Sequence, residues 1–138
     1  MNFQATLRFH TPGRGTSDIT HEVSGKVSES GVSTGTCHVF LQHTSASLLI
    51  SENADPQVRR DLEAWLQRAV PDGDSIYRHT AEGPDDMPAH VRSALLATSV
   101  TIPVQDGALA LGTWQGLFLF EHRHAAHVRS MVLTVIGE

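Results

Sequence analysis

The chain has 138 residues, of which 40% are hydrophobic, and its formal net charge is −5. The length is typical of one domain, so we predict a single domain over residues 1–138. With no basic stripe and no apolar run near the roughly 20 residues of a transmembrane helix, the sequence argues against nucleic acid and membrane as partners.

The first 31 residues predict a strand, a turn and a short helix. Residues Phe3–Phe9 alternate apolar and polar side chains, which is the period of a half-buried strand. The sequence TPGRGTSD that follows has turn composition. Three apolar residues then recur four apart: Ile19, Val23 and Val27. This spacing predicts an amphipathic helix with Asp18 near its N-cap and Gly31 just beyond its end.

The middle of the chain predicts two strands and a second helix. One face of the first strand carries Cys37, Val39, Leu41 and His43. The sequence SLLIS predicts the next strand. Asp55 is then an N-cap candidate, Pro56 suits the first helical position, and Pro71 ends the helix. The predicted apolar stripe of this helix is Val58, Leu62, Trp65, Leu66 and Ala69.

The last third of the chain predicts one helix followed by several strands. The helix begins near Pro88, and its predicted inward residues are Val91, Ala94, Leu95 and Thr98. Asp106-Gly107 is a strong hairpin signal between two strands, a third strand follows GTWQG, and the last is apolar from Met131 to Ile136. We therefore predict an α+β fold with a mainly antiparallel sheet system and about three helices.

Histidine is unusually frequent, with nine in the chain, and it is the commonest metal ligand in proteins. His79 and His90 flank an acidic loop that contains prolines, and a loop of this length can fold back to bring them together. The alternative is a polar loop with two exposed histidines. His43, at the end of an apolar strand, is the third candidate ligand, and its alternative is a core histidine bonded to a backbone carbonyl.

Other polar residues suggest further roles at a site. Glu121 follows the apolar LFLF, so a carboxylate lies where a strand emerges, and it is a candidate base. The three histidines after it, His122, His124 and His127, fit a solvated turn. Trp114 and Gln115, between two glycines, could stack on and hydrogen-bond a heterocycle, although a core Trp114 in a bulge is an alternative.

Two further observations concern the loop carboxylates and the cell compartment. Asp85 and Asp86 could hold Mg²⁺, or one of them could cap the helix that follows. Cys37, the only cysteine, fits a small core residue and cannot form an internal disulfide. The N-terminus lacks the pattern of a signal peptide, so we predict a cytoplasmic location.

Several motifs in order resemble the YjbQ-like family. They are HTSASLLISENADPQVRRDL, YRHTAEGPDDMPAHVRSALL, LALGTWQGLFLFEHR and the closing VLTVIGE. The resemblance covers essentially the whole chain. It implies a small α+β protein that assembles as a homotrimer, with polar signature residues in a pocket near subunit boundaries. The family is linked to a secondary thiamine-phosphate synthase activity.

Carried onto this chain, the resemblance implies a set of site residues. The implied divalent-metal ligands, for Zn or Mg, are His43, His79 and His90. The implied catalytic carboxylates are Glu82, Asp86 and Glu121. The implied substrate-binding residues are Asn53, Trp114 and Gln115. Family members often have Asn where this chain has Asp86, and an ionised Asp86 cannot donate a hydrogen bond there.

The resemblance implies a reaction that joins hydroxymethylpyrimidine pyrophosphate to thiazole phosphate. The chain has one lysine and no glycine-rich phosphate cradle, so histidines, Arg78, Arg92 or Arg123 would have to hold the phosphates. We therefore expect this activity to be a side reaction of the site. The alternatives are a metal-dependent hydrolase or lyase acting on a small anionic metabolite, and a trimer that binds metabolite or metal without catalysis.

Overall fold

The computed structural model describes residues 1–138 and contains eight strands and three helices. The strands are β1 (Asn2–Thr11), β2 (Gly15–Asp18), β3 (Gly35–Leu41), β4 (Ala46–Glu52), β5 (Ser99–Gln105), β6 (Ala108–Leu109), β7 (Gln115–Glu121) and β8 (His127–Gly137). The helices are α1 (Thr20–Ser30), α2 (Pro56–Ala69) and α3 (Asp86–Leu95). None of the helices is long and apolar enough to cross a bilayer.

The strands form two antiparallel sheets. A five-stranded sheet has the order β1-β8-β3-β5-β6, and a three-stranded sheet has the order β2-β7-β4. In the larger sheet, β8 pairs along its length with both β1 and β3. The predicted α+β class with mainly antiparallel pairing is therefore confirmed.

The main core lies between the two sheets and α1. Alternate residues of the strands point into it, and the buried cluster includes Val39, Leu133 and Val135 from the large sheet and Leu117 and Leu119 from the small one. Helix α1 adds its residues four apart, Ile19, Val23 and Val27, as predicted. Gly31 follows the helix with a left-handed backbone, φ 73°. Asp18 directly precedes the N-cap residue Ile19 and accepts a hydrogen bond from the Thr20 N–H, so its predicted place near the N-cap is confirmed.

Helix α2 packs against the opposite face of the small sheet. The Arg59 guanidinium lies 4.2 Å above the Phe118 ring, and Phe118 and Phe120 alternate with the core residues of β7. Asp55 caps the helix by accepting a hydrogen bond from the Gln57 N–H, with Pro56 at the first helical position, as predicted. The predicted apolar stripe is largely exposed, because only Leu66 of α2 is buried.

Helix α3 buries a different face from the predicted one. Its buried residues are Asp86, Pro88, Ala89 and Arg92, whereas Ala94 and Leu95 are exposed. The predicted face was wrong because the buried position is that of Arg92, a charged residue that pairs with Glu63 of α2 inside the protein. The helix also begins at Asp86, so Pro88 lies within its first turn.

Of two connections interpreted as turns in the sequence, one is a hairpin turn as predicted and the other contains an additional strand. The hairpin at Asp106-Gly107 is confirmed, since β5 pairs with β6 and both turn residues have positive φ, 52° and 79°. The segment TPGRGTSD, interpreted as a turn only, contains β2, which pairs with the end of β7. This pairing extends the small sheet beside the C-terminal end of β7.

Candidate functional site

Helix α3 and the loop before it bring His79 and His90 together. Asp86 is the first residue of α3 and His90 lies one turn later, so both project from the same face. One nitrogen of each imidazole and one Asp86 oxygen all lie within 4.8 Å of one another. The acidic loop therefore folds back, and Asp86 lies between the two histidines.

Asp86 is the buried centre of this group. Its Oδ2 is 2.8 Å from His79 Nε2 and 3.3 Å from His90 Nε2. Only 3% of the Asp86 side chain is exposed, against 53% for His79. The group thus has a fixed carboxylate at its base and an imidazole at the protein surface.

Arg123 anchors the acidic side of the group. Its Nη1 donates to Asp86 Oδ1 at 2.9 Å, its Nε donates to Asp85 Oδ2 at 3.1 Å, and its Nη2 donates to the Glu82 carbonyl. Burial alone would raise the pKa of Asp85, but hydrogen bonds from the His124 N–H and from Arg123 outweigh it and hold that pKa below its usual range. Arg123 leaves Oδ2 of Asp86 facing the histidines.

The tautomer of His90 follows from its backbone contact. His90 Nδ1 lies 3.2 Å from the carbonyl oxygen of Thr44, which can only accept, so Nδ1 carries the hydrogen. In the neutral ring Nε2 then has a lone pair, and that lone pair faces Asp86 Oδ2. Two acceptors at 3.3 Å repel each other unless a cation or a proton lies between them.

The donor set fits a divalent metal. Two imidazoles and one carboxylate are the ligands of many catalytic zinc sites, which keep a further position open. A ring N–H held by a backbone carbonyl, as in His90, is the usual outer partner of a metal-bound histidine. Formally, Glu82, Asp85 and Asp86 contribute three negative charges against one positive charge of Arg123, which favours a dication.

His43 is not part of this group. Its Nε2 accepts a 2.8 Å hydrogen bond from the Ser130 N–H, so the lone pair a metal would need is already used. Burial, with the nearby charge of Arg129, lowers the pKa of His43. His43 and His90 nevertheless line one pocket of about 470 Å³ between the end of β3 and α3.

Glu121 is held in a buried ion pair. Arg129 donates to both of its oxygens, with Nε at 2.8 Å from Oε1, and Thr11 donates at 2.6 Å. Burial alone would raise the pKa of Glu121, but these hydrogen bonds outweigh it and lower that pKa. With 1% exposure, the carboxylate is enclosed by protein groups.

The predicted substrate-binding residues lie at the other end of the small sheet. Asn53 donates to the carbonyls of Thr113 and Gln115, and Gln115 accepts from the Gly112 N–H. Trp114 is 64% exposed, which contradicts the alternative of a core tryptophan. The seven residues of β7 place this loop roughly 20 Å from the histidine group within one chain.

Two residues near the site were not anticipated. His122, interpreted as part of a solvated turn, is fully buried and lies 2.8 Å from Ser47 Oγ. Because side chains alternate along a strand, His122 lies on the same face as Phe118 and Phe120, and this period of two predicts that it is buried. Arg129 carried no such signal, because it lies on a strand face whose other members are apolar, including Met131 and Leu133.

Comparison with known proteins shows that the chain is similar in sequence to a family of UPF0047 proteins. The family model described as UPF0047 protein YjbQ-like matches residues 5–138. The chain belongs to the YjbQ-like family. A UPF0047 protein of Synechocystis sp. is 50% identical over 135 residues, which is 98% of this chain and 92% of that protein. The UPF0047 protein YjbQ of Escherichia coli O157:H7 is 43% identical over all of both chains.

Solved structures of YjbQ-like proteins have the same fold. A YjbQ/UPF0047 protein from Clostridium acetobutylicum superposes with a TM-score of 0.83 at 36% identity, over 97% of this chain and 99% of that one. The conserved hypothetical protein TT1486 from Thermus thermophilus gives 0.85 at 32% identity, over 96% and 99%. The family and the fold expected from the sequence motifs are therefore confirmed.

Proposed function

We propose that this YjbQ-like protein is a metal-dependent enzyme acting on a small anionic metabolite, with His79, Asp86 and His90 as its metal ligands. The observation that carries the proposal is the His90 lone pair directed at Asp86 Oδ2. The repulsion between the His90 lone pair and Asp86 Oδ2 disappears if a divalent cation binds both of them together with His79. Zn²⁺ suits the two imidazoles better than Mg²⁺, which prefers oxygen ligands.

The residues around the metal ligands support hydrolase or lyase chemistry. A metal bound there would polarise an anionic oxygen of the substrate. Glu82 is the better candidate base than Glu121, because its carboxylate is mostly exposed and borders the group through Arg123. Asp86, for which catalysis was expected from the family resemblance, is better suited to a ligand role because it only accepts.

Thiamine-phosphate synthase activity is the second candidate, and it rests on the family resemblance. Of the three arginines expected to hold phosphates, Arg92 is fully buried and Arg123 is bound to Asp85 and Asp86. Arg78 is exposed and precedes His79 in the chain, so it is the one of the three that is free to hold a phosphate. One such arginine favours a weak or side activity of the site.

A homotrimer is the proposed assembly, and the outer face of the five-stranded sheet supports self-association. The exposed apolar residues of this face include Phe40, Val128 and Ile136. A neighbouring subunit could also bring the loop of Trp114 to the histidine group, from which it is remote in one chain.

The test is the metal content of untagged protein, measured by mass spectrometry after exposure to equimolar zinc. We expect about one zinc per chain in the wild type, and loss of most of it in His79→Ala and His90→Ala. His43→Ala should retain the metal, because the Ser130 N–H occupies the Nε2 of His43. His124→Ala is the matched control, since it removes an exposed histidine that also contacts an aspartate.

Two outcomes would contradict the proposal. Equal zinc in the wild type and in His79→Ala would place the metal elsewhere. Loss of zinc in His43→Ala, with His79→Ala unaffected, would reverse the assignment of the ligands. Thermal unfolding of each variant, recorded alongside, separates loss of a ligand from loss of the fold.

A further inference from the structure

A cleft of about 380 Å³ lies between α2 and the edge of the small sheet. Helix α2 contacts β4 and, through Arg59, the Phe118 ring of β7, whereas β2 lies on the other side of β7 and leaves a space beside the helix. The lining residues are Pro56, Arg59, Arg60 and Glu63 from α2, Gly15 and Thr16 from β2, and Phe120 from β7. No residue of the histidine group lines this cleft, so it is a separate feature of the molecule.

Arg59 has a fixed orientation in the cleft. Its Nη1 donates to the Glu52 carbonyl at 2.7 Å, and its guanidinium lies over the Phe118 ring. Its Nε and Nη2 have no partner in the protein, and neither nitrogen is enclosed by protein. Arg59 therefore keeps two donor nitrogens for a ligand, on a guanidinium whose direction the protein already sets.

Arg60 adds a second free guanidinium at the rim of the cleft. Its side chain is exposed and forms neither an ion pair nor a hydrogen bond within the chain. Glu63 is the only carboxylate in the lining, and it pairs with the buried Arg92 at 2.8 Å. The positive charges of Arg59 and Arg60 are thus not neutralised inside the cleft, although the net charge of the whole chain is −5.

We infer that this cleft binds a small metabolite through a phosphate or carboxylate group that Arg59 and Arg60 hold. A guanidinium matches both groups, because it offers parallel N–H donors to two oxygens. The hydroxyl of Thr16 can donate a further hydrogen bond, and the volume of the cleft is at the lower end of small-molecule sites. The inference goes beyond the proposed function, since it needs none of the metal ligands.

The orientation of Arg59 distinguishes this cleft from a pair of arginines on a solvated surface. Because the Glu52 carbonyl and the Phe118 ring already hold the guanidinium, binding a ligand costs less conformational entropy. Arg59 is also half-buried, and its attraction for an anion is stronger there than in bulk water. The cleft is suited to binding without reaction, because its only carboxylate is already paired with Arg92.

The experiment measures binding of inorganic phosphate and of succinate by calorimetry, on protein freed of metal by a chelator. We expect saturable binding to the wild type, and affinity lower by roughly ten-fold or more in Arg60→Gln, since a hydrogen bond between charged groups is lost. Arg59→Lys should also weaken binding, because an ammonium keeps the charge but not the parallel donors. Arg68→Gln is the matched control, since it removes an exposed arginine of the same helix that lies outside the cleft.

A measurement without substitution accompanies the variants. The Nε–H resonance of Arg59 in nitrogen NMR spectra should shift on addition of the tighter of the two anions, and the shift should saturate with the same affinity as the calorimetry. An Arg59 resonance that neither anion moves overturns the inference even if calorimetry detects binding.

The outcomes also separate this inference from the proposed function. Tighter binding of phosphate than of succinate supports a phosphate group on the ligand, and the reverse supports a carboxylate. Binding that is lost in Arg60→Gln and kept in His79→Ala supports the cleft even if zinc never binds at His79. Failure of both anions to bind, or equal weakening in Arg60→Gln and Arg68→Gln, overturns the cleft as a specific site and leaves the metal site untouched.

Discussion

At the scale of single residues, the most unusual feature is a charge enclosed between α2, α3 and the small sheet. Arg92 is 0% exposed, and its Nη1 donates to Glu63 at 2.8 Å, while its Nε and Nη2 have no protein partner. A buried guanidinium is tolerated when a counter-charge is present. Glu63 therefore matters for the packing of α3 onto α2, and hence for the placement of Asp86 and His90.

Glu63→Ala should destabilise the protein by about 3 kcal/mol, because it leaves the charge of Arg92 buried and unpaired. The measurement is the free energy of unfolding in urea. Glu29→Ala removes an exposed pair with Lys26 and should cost less than about 1 kcal/mol. Glu63→Leu combined with Arg92→Leu should recover most of the loss. A double variant no more stable than Glu63→Ala would show that the charge is not the cause.

His122 predicts how stability depends on pH. Burial lowers the pKa of this imidazole to about 3, so the folded protein keeps it neutral while the unfolded chain takes up a proton below about 6.5. The unfolded state thus binds more protons between these values, and stability falls as the pH falls. From pH 7 to pH 5 the contribution of His122 should be about 2 kcal/mol.

The comparison is between the wild type and His122→Leu combined with Ser47→Ala, which removes both partners of one buried hydrogen bond. The double variant should lose about 2 kcal/mol less between pH 7 and pH 5. His21→Leu, at an exposed site on α1, should behave as the wild type does. Identical pH dependence in all three proteins would mean that His122 is not neutral in the folded state.

At the level of single residues, the sequence predicted correctly that one loop brings His79 and His90 together, but it did not predict that Asp86 is the residue between them. His79 and His90 converge because the loop returns at Asp86, which the spacing allowed. Asp86 takes the position expected for His43, since a helix brings its first residue and the one a turn later together. The contact of His43 with the Ser130 N–H depends on pairing between distant strands, which local patterns do not contain.

At the scale of elements, helix ends and turns were the most predictable features because they depend on local chemistry. Asp55 accepts from the Gln57 N–H at 2.9 Å, and Asp106-Gly107 turns the hairpin. The buried face of α3 was not predictable from periodicity, since its central residue is the charged Arg92. Strand β2 is only four residues long and exists through its pairing with β7, so turn composition concealed it.

The cap of α2 gives a prediction at this scale. Asp55→Ala should lower the free energy of unfolding by about 1 kcal/mol, because the Gln57 N–H loses its acceptor. Asp55→Ser should retain most of the stability, since a serine hydroxyl accepts the same bond. Asp61→Ala, which removes an exposed carboxylate from the same helix, is the control. A serine variant as unstable as the alanine variant would argue against capping as the cause.

At the scale of the whole molecule, the two sheets differ in how much of their surface the rest of the chain covers. The small sheet is covered on one face by the core and on the other by α2. The large sheet contributes one face to the core, and its other face displays Phe40 at 47% and Val128 at 49% exposure. Exposed apolar side chains on an uncovered sheet are typical of a surface that meets another subunit.

The proposed trimer predicts a mass in solution of three times the 15.0 kDa of the chain, measured by light scattering. Phe40→Asp should shift the mass toward the monomer, because burying the new carboxylate between subunits costs several kcal/mol without a partner. Leu62→Asp changes an exposed apolar residue on α2 and should leave the mass unchanged. A wild-type protein with the mass of one chain would contradict the trimer. It would also leave the Trp114 loop without a route to the histidine group, because within one chain they lie at opposite ends of the small sheet.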